Sequence, residues 1–181
     1  VNIERQEGPH PHSANLDSNN RFVYVADLGL DEVCVYELLA EGTLKYREQL
    51  SADLKAGAGP RHFDFHPNGE YAYVINELDS TVTVFSLDGG KLDPIQTLST
   101  LPKEFAGISY TADIHVAKSG RFLYGSNRGH DSIVIFSIDE NTGKLTYVNH
   151  ESTRGIYPRN FEIDSSGLLM LVANQDSDAV L

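Results

Sequence analysis

Several features are scarce in this sequence, and each scarcity narrows the class of protein. Cys34 is the one cysteine among 181 residues, so the chain can form no internal disulfide, which favours a reducing cytoplasm. No hydrophobic run is long enough to span a bilayer. Lysine and arginine number 14 against 26 aspartates and glutamates, and the formal net charge of −12 repels nucleic acid and anionic membranes. No segment carries an apolar helical stripe long enough to indicate a helical class.

One segment recurs four times at a spacing near fifty residues. The turn residues Asn20, Gly69, Gly120 and Gly167 stand at equivalent places, separated by steps of 49, 51 and 47 residues. A period in this range, built from short alternating strands, is typical of a β-propeller blade. The copies read PHSANLDSNNRFVYVADLGLDEVCVYEL, PRHFDFHPNGEYAYVINELDSTVTVFSL, TADIHVAKSGRFLYGSNRGHDSIVIFSI and PRNFEIDSSGLLMLVANQDSDAVL.

The second copy shows how each copy divides into strands. Residues 61–65 and 70–76 are strand-like runs on either side of the HPNG turn, and residues 81–87 and 92–98 flank an Asp-Gly-Gly turn. The sequence therefore predicts an all-β fold of four-stranded antiparallel blades. The repeats start near residues 11, 60, 111 and 158, and we interpret residues 1–181 as one partial propeller domain. Cys34 falls at an alternating strand position, and we interpret it as a core residue.

The number of blades is too small for a closed ring. Residues 1–8 resemble the end of an outer strand, three full copies follow, and the fourth stops within its third strand. Propellers close with roughly four to eight blades, because each blade is buried only by its neighbours. We expect these residues, about three and a half blades, to belong to a larger ring, with a self-assembling half-ring as the alternative.

Hairpin geometry places two sets of residues at one edge of the blades. If the hairpin turns between Asn68 and Gly69, Arg61 pairs with Asn76, so the start of the first strand and the end of the second lie together. In a propeller the first strand lines the central channel, so this edge surrounds the channel mouth. The start positions are His12, Arg61, Ala112 and Arg159, and the exit positions are Leu28, Glu77, Arg128 and Gln175.

The start and exit positions are where the copies differ most in charge. If Arg61, Arg128 and Arg159 cluster there, they attract anions in spite of the acidic background. Variation of charged residues around a channel mouth indicates an asymmetric ligand. The alternative is that the edges of loops vary freely.

The strings GPHPHSANLD, GPRHFDFHPNGEYAYVINEL, ADIHV, GRFLYGSNR and YPRNF resemble the seven-bladed lactonase family. This family groups bacterial propeller-type 6-phosphogluconolactonases with fungal carboxy-muconate lactonising enzymes. The resemblance covers essentially the whole chain and implies a ring of seven blades. It also implies a small anionic lactone as substrate, most simply 6-phosphogluconolactone, with no cofactor and no metal.

The resemblance also implies roles for residues at matching positions. The catalytic candidates are His12, Arg61 and Glu77. We expect a second group to bind substrate, with roles that the resemblance fixes less closely: His10, His62, Asp113, His115 and Arg159. Arg128, at the exit position of the third copy, is expected to bind substrate as well.

Lactone hydrolysis explains why these residue types are needed. The reaction requires a base that activates water, a cation that stabilises the oxyanion and an acid that protonates the leaving alkoxide. His12 or Glu77 could be the base, and Glu77 could equally be a structural partner of Arg61. Arg61 and Arg159 suit a phosphate or carboxylate of the substrate. As a residue of the rim, Arg61 is expected to be replaceable by alanine with loss of activity but little loss of folding.

Other interpretations stay open. His66, His130 and His150 are interpreted as turn residues, the last two as solvated. A metal site that uses His10, His12, Asp113 and His115 is conceivable, but no close-spaced ligand set completes a signature. AYVINELDSTVTVF also resembles the YVTN-type repeats of non-catalytic cell-surface propellers. A muconate-type enzyme and a family member that binds a sugar phosphate without turnover are further alternatives.

Overall fold

A computed structural model of the protein describes residues 2–181, which form four antiparallel sheets. In each sheet the strands pair in chain order. The first sheet contains β1 (Pro11–Leu16), β2 (Phe22–Asp27), β3 (Glu32–Leu38) and β4 (Leu44–Tyr46), with β5 (Ala52–Asp53) also paired to β3. The second contains β6 (Pro60–Phe65), β7 (Tyr71–Asn76), β8 (Thr81–Asp88) and β9 (Lys91–Ser99). The third contains β10 (Tyr110–Val116), β11 (Phe122–Arg128), β12 (Ser132–Ile138) and β13 (Leu145–Ser152), and the fourth contains β14 (Pro158–Ile163), β15 (Met170–Asn174) and β16 (Ala179–Val180).

The prediction of four-stranded antiparallel blades is confirmed for the first three sheets. The first of them interrupts its outer edge with a short 3₁₀ helix, Glu48–Leu50, and a second such helix, Gln175–Ser177, lies within the fourth sheet. No helix among residues 2–181 is long and apolar enough to cross a membrane.

The recurrent turn between the first two strands of each blade fixes the register. Its last residue has a positive φ in every copy, at Asn20 (53°), Gly69 (76°), Gly120 (72°) and Gly167 (71°). In each copy the N–H of this residue donates to the carbonyl three residues earlier. Glycine and asparagine adopt this left-handed conformation most readily, which is why they recur there.

The hydrophobic core lies between neighbouring blades rather than within one blade. Between the first and second blades, Tyr24 stacks on Phe63 with ring centroids 5.3 Å apart. Tyr73, Val84 and Leu123 belong to the cluster between the second and third blades. Cys34 is buried, which agrees with its interpretation as a core residue.

The predicted register is wrong at the start of each inner strand, because a β-bulge lies there. Pro60, not Arg61, pairs with Asn76, and His62 pairs with Ile75, so Arg61 is the extra residue. The same irregularity recurs in the other blades and includes His12, Ala112 and Arg159. A bulge turns its extra residue out of the alternation of the strand. The start positions are therefore placed by bulges, which the symmetric hairpin did not predict.

Two further expectations are wrong. Residues 1–8 are expected to be the end of an outer strand, but residues 2–8 form turns and bends, in which the N–H groups of Arg5 and Gln6 both donate to the Asn2 carbonyl. Val1 lies outside the described residues. His130 and His150 are half-buried rather than solvated, with ring centroids 5.1 Å apart, and His150 lies in strand β13 rather than in a turn.

Candidate active site

Glu77 is the centre of a buried ionic cluster at the channel mouth. It directly follows β7, and its N–H donates to the Gly59 carbonyl at 2.7 Å. Its side chain is 3% exposed. Arg5 Nη2 donates to Oε1 at 2.5 Å, while Arg61 Nε and Arg128 Nη2 lie 2.8 Å and 2.9 Å from Oε2. One carboxylate thus faces three guanidinium groups from three parts of the chain.

Arg61 is held on several sides and is not a solvated rim residue. Its Nη1 donates to the Ala112 carbonyl at 2.7 Å and to His62 Nε2 at 2.9 Å. The side chain is 5% exposed. The expectation that alanine would replace it with little loss of folding stays a prediction, but the burial argues against it. Removal of Arg61 would leave the Ala112 carbonyl without this donor and would leave Glu77 with only Arg5 and Arg128.

Arg128 is fixed in a similar way from the third blade. Its Nη2 donates to the Thr111 carbonyl at 2.6 Å, and its Nε donates to the Tyr110 carbonyl at 3.3 Å. The Tyr157 ring lies beside the guanidinium, with Cζ 5.1 Å from the ring centroid. Nη1 has no acceptor among residues 2–181.

The cluster keeps Glu77 ionised. Burial by itself raises the pKa of a carboxyl, but the charge of Arg128, the hydrogen bond from Arg5 and the charge of Arg61 together hold the pKa of Glu77 below its ordinary value. Burial and the nearby Arg128 lower the pKa of Arg61, although a guanidinium stays protonated at neutral pH. The three arginines and one carboxylate therefore leave two uncompensated positive charges at the mouth.

Asp113 is a second buried centre, which joins three blades. Oδ1 lies 2.6 Å from His62 Nδ1, and Oδ2 accepts from Asn160 Nδ2 at 2.6 Å and from the Phe161 N–H at 3.0 Å. His115 Nε2 lies 3.4 Å from Oδ2. Burial opposes ionisation, but His115 and His62 hold the pKa of Asp113 well below its usual range. With both oxygens occupied, Asp113 orients its neighbours and has little capacity left for substrate.

The tautomer of His62 follows from its two partners. A guanidinium can only donate, so Nε2 of His62 accepts from Arg61 and Nδ1 donates to Asp113. A hydrogen-bonded chain thus runs from Asp113 through His62 to Arg61, and Arg61 in turn forms an ion pair with Glu77.

His12 is exposed to the channel, and its side chain forms no hydrogen bond within the described residues. It lies at the bulge of β1 and lines a channel cavity of about 630 Å³ together with His62, Asp113 and His115. Partial burial and the charge of Arg61 lower the pKa of His12, which favours the neutral imidazole.

The other candidates are arranged around these two centres. Arg159 is exposed, donates to Gln175 at 2.9 Å and shares a second cavity of about 520 Å³ with Arg61 and His62. His115 lines the channel cavity, packs edge-on against Phe161 and has a raised pKa because Asp113 outweighs the effect of burial. His10 is paired with Glu7 at 3.2 Å and lines neither cavity.

Two residues of the mouth were missed by the sequence analysis. Arg5 lies in a stretch that has no second copy, so the repeat gave no signal for it. The hydrogen bond to Glu77 raises the pKa of Arg5, with smaller contributions from Tyr110 and Tyr157. Tyr157 could have been noticed, because it stands where the second copy has Gly59. In the part of the chain that the structure describes, no group of three or more His, Cys, Asp or Glu side chains is placed to hold a metal ion.

The blades and the channel mouth define a β-propeller with a polar site at one end of its channel. Comparison with known proteins makes this more specific. Residues 1–181 match the family described as "Lactonase, 7-bladed beta-propeller", and the chain belongs to this family.

Curated relatives include bacterial proteins named 6-phosphogluconolactonase. The protein of Pectobacterium carotovorum is 42% identical over 171 residues, which cover 93% of this chain and 51% of the relative. That of Bacillus subtilis is 39% identical over 176 residues, which cover 96% of this chain and 50% of the relative. The chain spans about half the length of the curated relatives it matches.

Two solved structures are similar to this chain in sequence and fold. The periplasmic gluconolactonase of Pseudomonas aeruginosa is 36% identical, with a TM-score of 0.91 over 97% of this chain and 50% of that one. A Lactobacillus plantarum protein is 34% identical, with a TM-score of 0.91 over 97% of this chain and 51% of that one.

Proposed function

We propose that the protein is a lactonase that hydrolyses 6-phosphogluconolactone to 6-phosphogluconate. The observation that carries this proposal is the cluster of Arg5, Arg61 and Arg128 around the buried Glu77 at the channel mouth. A chain with a formal net charge of −12 has here a site with two uncompensated positive charges. Such a site attracts a small anion, and the names of the curated relatives supply the lactone.

The arginines are suited to two tasks in the reaction. Arg61 and Arg128 each have one terminal nitrogen with no acceptor among residues 2–181. Because their other nitrogens are fixed to carbonyls, to His62 and near Glu77, these free donors are preorganised. They can bind the phosphate of the substrate or the oxyanion that forms at the lactone carbonyl. Arg159 lines a cavity together with Arg61.

In the proposed mechanism His12 is the general base. It takes a proton from water, and the oxygen attacks the lactone carbonyl carbon to form a tetrahedral oxyanion. When the intermediate collapses, the bond between the carbonyl carbon and the ring oxygen breaks, and the protonated His12 returns its proton to the leaving alkoxide. Water is the nucleophile, and the reaction needs neither a covalent intermediate nor a cofactor.

Glu77 serves as the counter-charge in this mechanism rather than as the base. Its lowered pKa and its three cationic neighbours make it a weak proton acceptor. Its role is to hold Arg61 and Arg128 in place, which was the alternative interpretation of this residue in the sequence.

A non-catalytic scaffold of the YVTN kind is less well supported. Such a scaffold has no need for His12, Arg61 and Glu77 to lie around one channel. Burial of an ionic cluster costs free energy, so its presence here favours a site that uses the charges. We propose a cytoplasmic location, in keeping with a single buried cysteine.

The test is hydrolysis of freshly generated 6-phosphogluconolactone by the full-length protein, followed as proton release against the spontaneous rate. Unphosphorylated gluconolactone and a muconolactone serve as comparisons. Acceleration confined to the phosphorylated lactone supports the proposal. A preference for gluconolactone or muconolactone would identify that lactone as the substrate instead. Absence of acceleration by a folded protein would favour a binding scaffold.

A further inference from the structure

Tyr157 has a backbone conformation that its side chain makes unfavourable. Its φ is 65°, in the left-handed region that bulky residues rarely adopt. Gly59 occupies the equivalent place in the second blade and has the same φ of 65°. Each residue directly precedes the proline that begins an inner strand. The chain therefore builds one backbone geometry twice, once with glycine and once with tyrosine.

The backbone contacts of the two residues are also equivalent. Asp31 Oδ1 accepts from the Gly59 N–H at 2.8 Å, and Asp131 Oδ1 accepts from the Tyr157 N–H at 2.9 Å. The carbonyl of each residue accepts from the exit residue of its own blade, at 2.7 Å for Gly59 and 3.0 Å for Tyr157. Glycine would satisfy all of these contacts at position 157 without strain. The reason for tyrosine must lie in its ring.

The ring contacts the one exit residue that is an arginine. The Arg128 guanidinium lies 5.1 Å from the centroid of the Tyr157 ring, an arrangement in which an aromatic face attracts a cation. At Gly59 the neighbouring exit residue is Leu28, and an added Cβ would lie 3.2 Å from its Cγ and 2.5 Å from Leu78 Cγ. Gly59 thus lies beside a leucine exit residue, whereas the strained Tyr157 lies beside an arginine exit residue.

We propose that Tyr157 is a positioning residue of the active site, whose ring fixes the Arg128 guanidinium so that Nη1 stays available to an anionic group of the substrate. The ring restrains one face of the guanidinium, while Glu77 and the Thr111 carbonyl hold Nη2. Backbone strain of this kind persists where a site requires it. This inference rests on the proposed function, because it assumes that Arg128 contacts an anion.

The test compares Tyr157→Gly with Tyr157→Phe in the full-length protein. Tyr157→Gly removes the ring and relieves the backbone, so its urea midpoint should equal or exceed that of the wild type. Its kcat/KM for 6-phosphogluconolactone should fall roughly tenfold, and its Kd for inorganic phosphate, measured by calorimetry, should rise by a similar factor. Tyr157→Phe keeps the ring and should stay close to the wild type in both.

A matched control is Asn20→Gly, which places glycine at a left-handed residue (φ 53°) in the turn at the far edge of the first blade. It should change neither kcat/KM nor phosphate affinity. Absence of lactone hydrolysis by the wild type would defeat the proposed function, while the phosphate affinities would still decide the role of Tyr157. The inference is overturned if Tyr157→Gly keeps wild-type phosphate affinity, if the wild type binds no phosphate, or if the losses accompany a lower urea midpoint, which would make the role purely structural.

Discussion

Glu77 Oε2 lies 2.8 Å from Arg61 Nε, although the side chains of both residues are at least 95% buried, with exposures of 3% and 5%. The Nε–H is not directed at the carboxylate closely enough to form a hydrogen bond, and the interaction is an ion pair. Arg61 Nη1 donates its hydrogen bonds to the Ala112 carbonyl and His62, so Glu77 stabilises the guanidinium by electrostatic attraction alone. Loss of this ion pair should therefore lower both the stability of the protein and its activity.

Replacing Glu77 by glutamine should therefore destabilise the protein as well as inactivate it. The variant keeps the size of the side chain but leaves three guanidinium groups without their counter-charge. Removal of one partner from a buried pair costs about 3–5 kcal/mol in the free energy of unfolding. Urea denaturation measures this loss. Asp93→Asn, which breaks an exposed pair with Lys91, should cost less than about 1 kcal/mol.

The same experiment separates the two roles considered for Glu77. A Glu77→Gln variant of wild-type stability that loses only kcat would identify Glu77 as the general base and contradict its role as counter-charge.

Activity should depend on pH through His12. Burial and then Arg61 lower the pKa of His12 from its ordinary 6.5, and a base must be unprotonated to act. The profile of kcat/KM should be flat through neutral pH and should fall on acidification, with its inflection below pH 6.5. His12→Gln should lower kcat by about 10²–10⁴-fold and abolish the inflection.

His130→Gln is the control for that profile, because the pKa of His130 is also lowered, by burial and by His150, outside the site. It should leave the inflection in place. A wild-type inflection above pH 6.5, or one that persists in His12→Gln, would show that another group is the base.

Stability at acid pH should depend on Asp113. Its folded-state pKa is depressed below the ordinary 3.8 by His115 and His62 in spite of burial. The stabilisation is therefore complete above that ordinary value and is lost as the pH falls towards the folded-state pKa. Asp113→Asn should cost about 3 kcal/mol at pH 7, and its difference from the wild type should shrink below about pH 4.

Denaturation of both proteins over a range of pH, with the exposed Asp88→Asn as control, tests this linkage. A difference between wild type and Asp113→Asn that does not change with pH would show that Asp113 contributes through packing alone.

Cys34 should be inert in the native protein. It is 5% exposed, and burial with nearby Glu32 and Asp27 raises the pKa of its thiol to about 12, so almost no thiolate forms at neutral pH. A disulfide reagent should modify it only at the rate at which the first blade opens, and urea should accelerate the reaction. Modification at the rate of free cysteine without denaturant would contradict its burial.

The strands could be predicted well from the sequence because alternation and turn chemistry are local. The second blade was expected to have strands at residues 61–65, 70–76, 81–87 and 92–98. Its observed strands are Pro60–Phe65, Tyr71–Asn76, Thr81–Asp88 and Lys91–Ser99. The turns at Asn20, Gly69, Gly120 and Gly167 share one left-handed geometry, which the aligned glycines already indicated.

The site could be predicted only in part, because its geometry depends on contacts between blades. The start and exit positions did indicate Arg61, Glu77 and Arg128. The bulge that moves Arg61 out of register with Asn76 has no clear local signal, and its burial depends on Ala112 of the next blade. Arg5 has no counterpart in the repeat, so its contact with Glu77 could only be seen in three dimensions.

The most direct test of this account is kcat/KM for 6-phosphogluconolactone in wild type, Arg61→Lys and the control Arg121→Lys, all in the full-length protein. Lysine keeps the charge but replaces a planar set of donors by one compact ammonium, so it cannot serve Ala112, His62 and a substrate together. Arg121 is exposed beside the far turn of the third blade. We expect a loss of roughly a hundredfold or more for Arg61→Lys and none for Arg121→Lys. A folded Arg61→Lys variant with wild-type kcat/KM would contradict it.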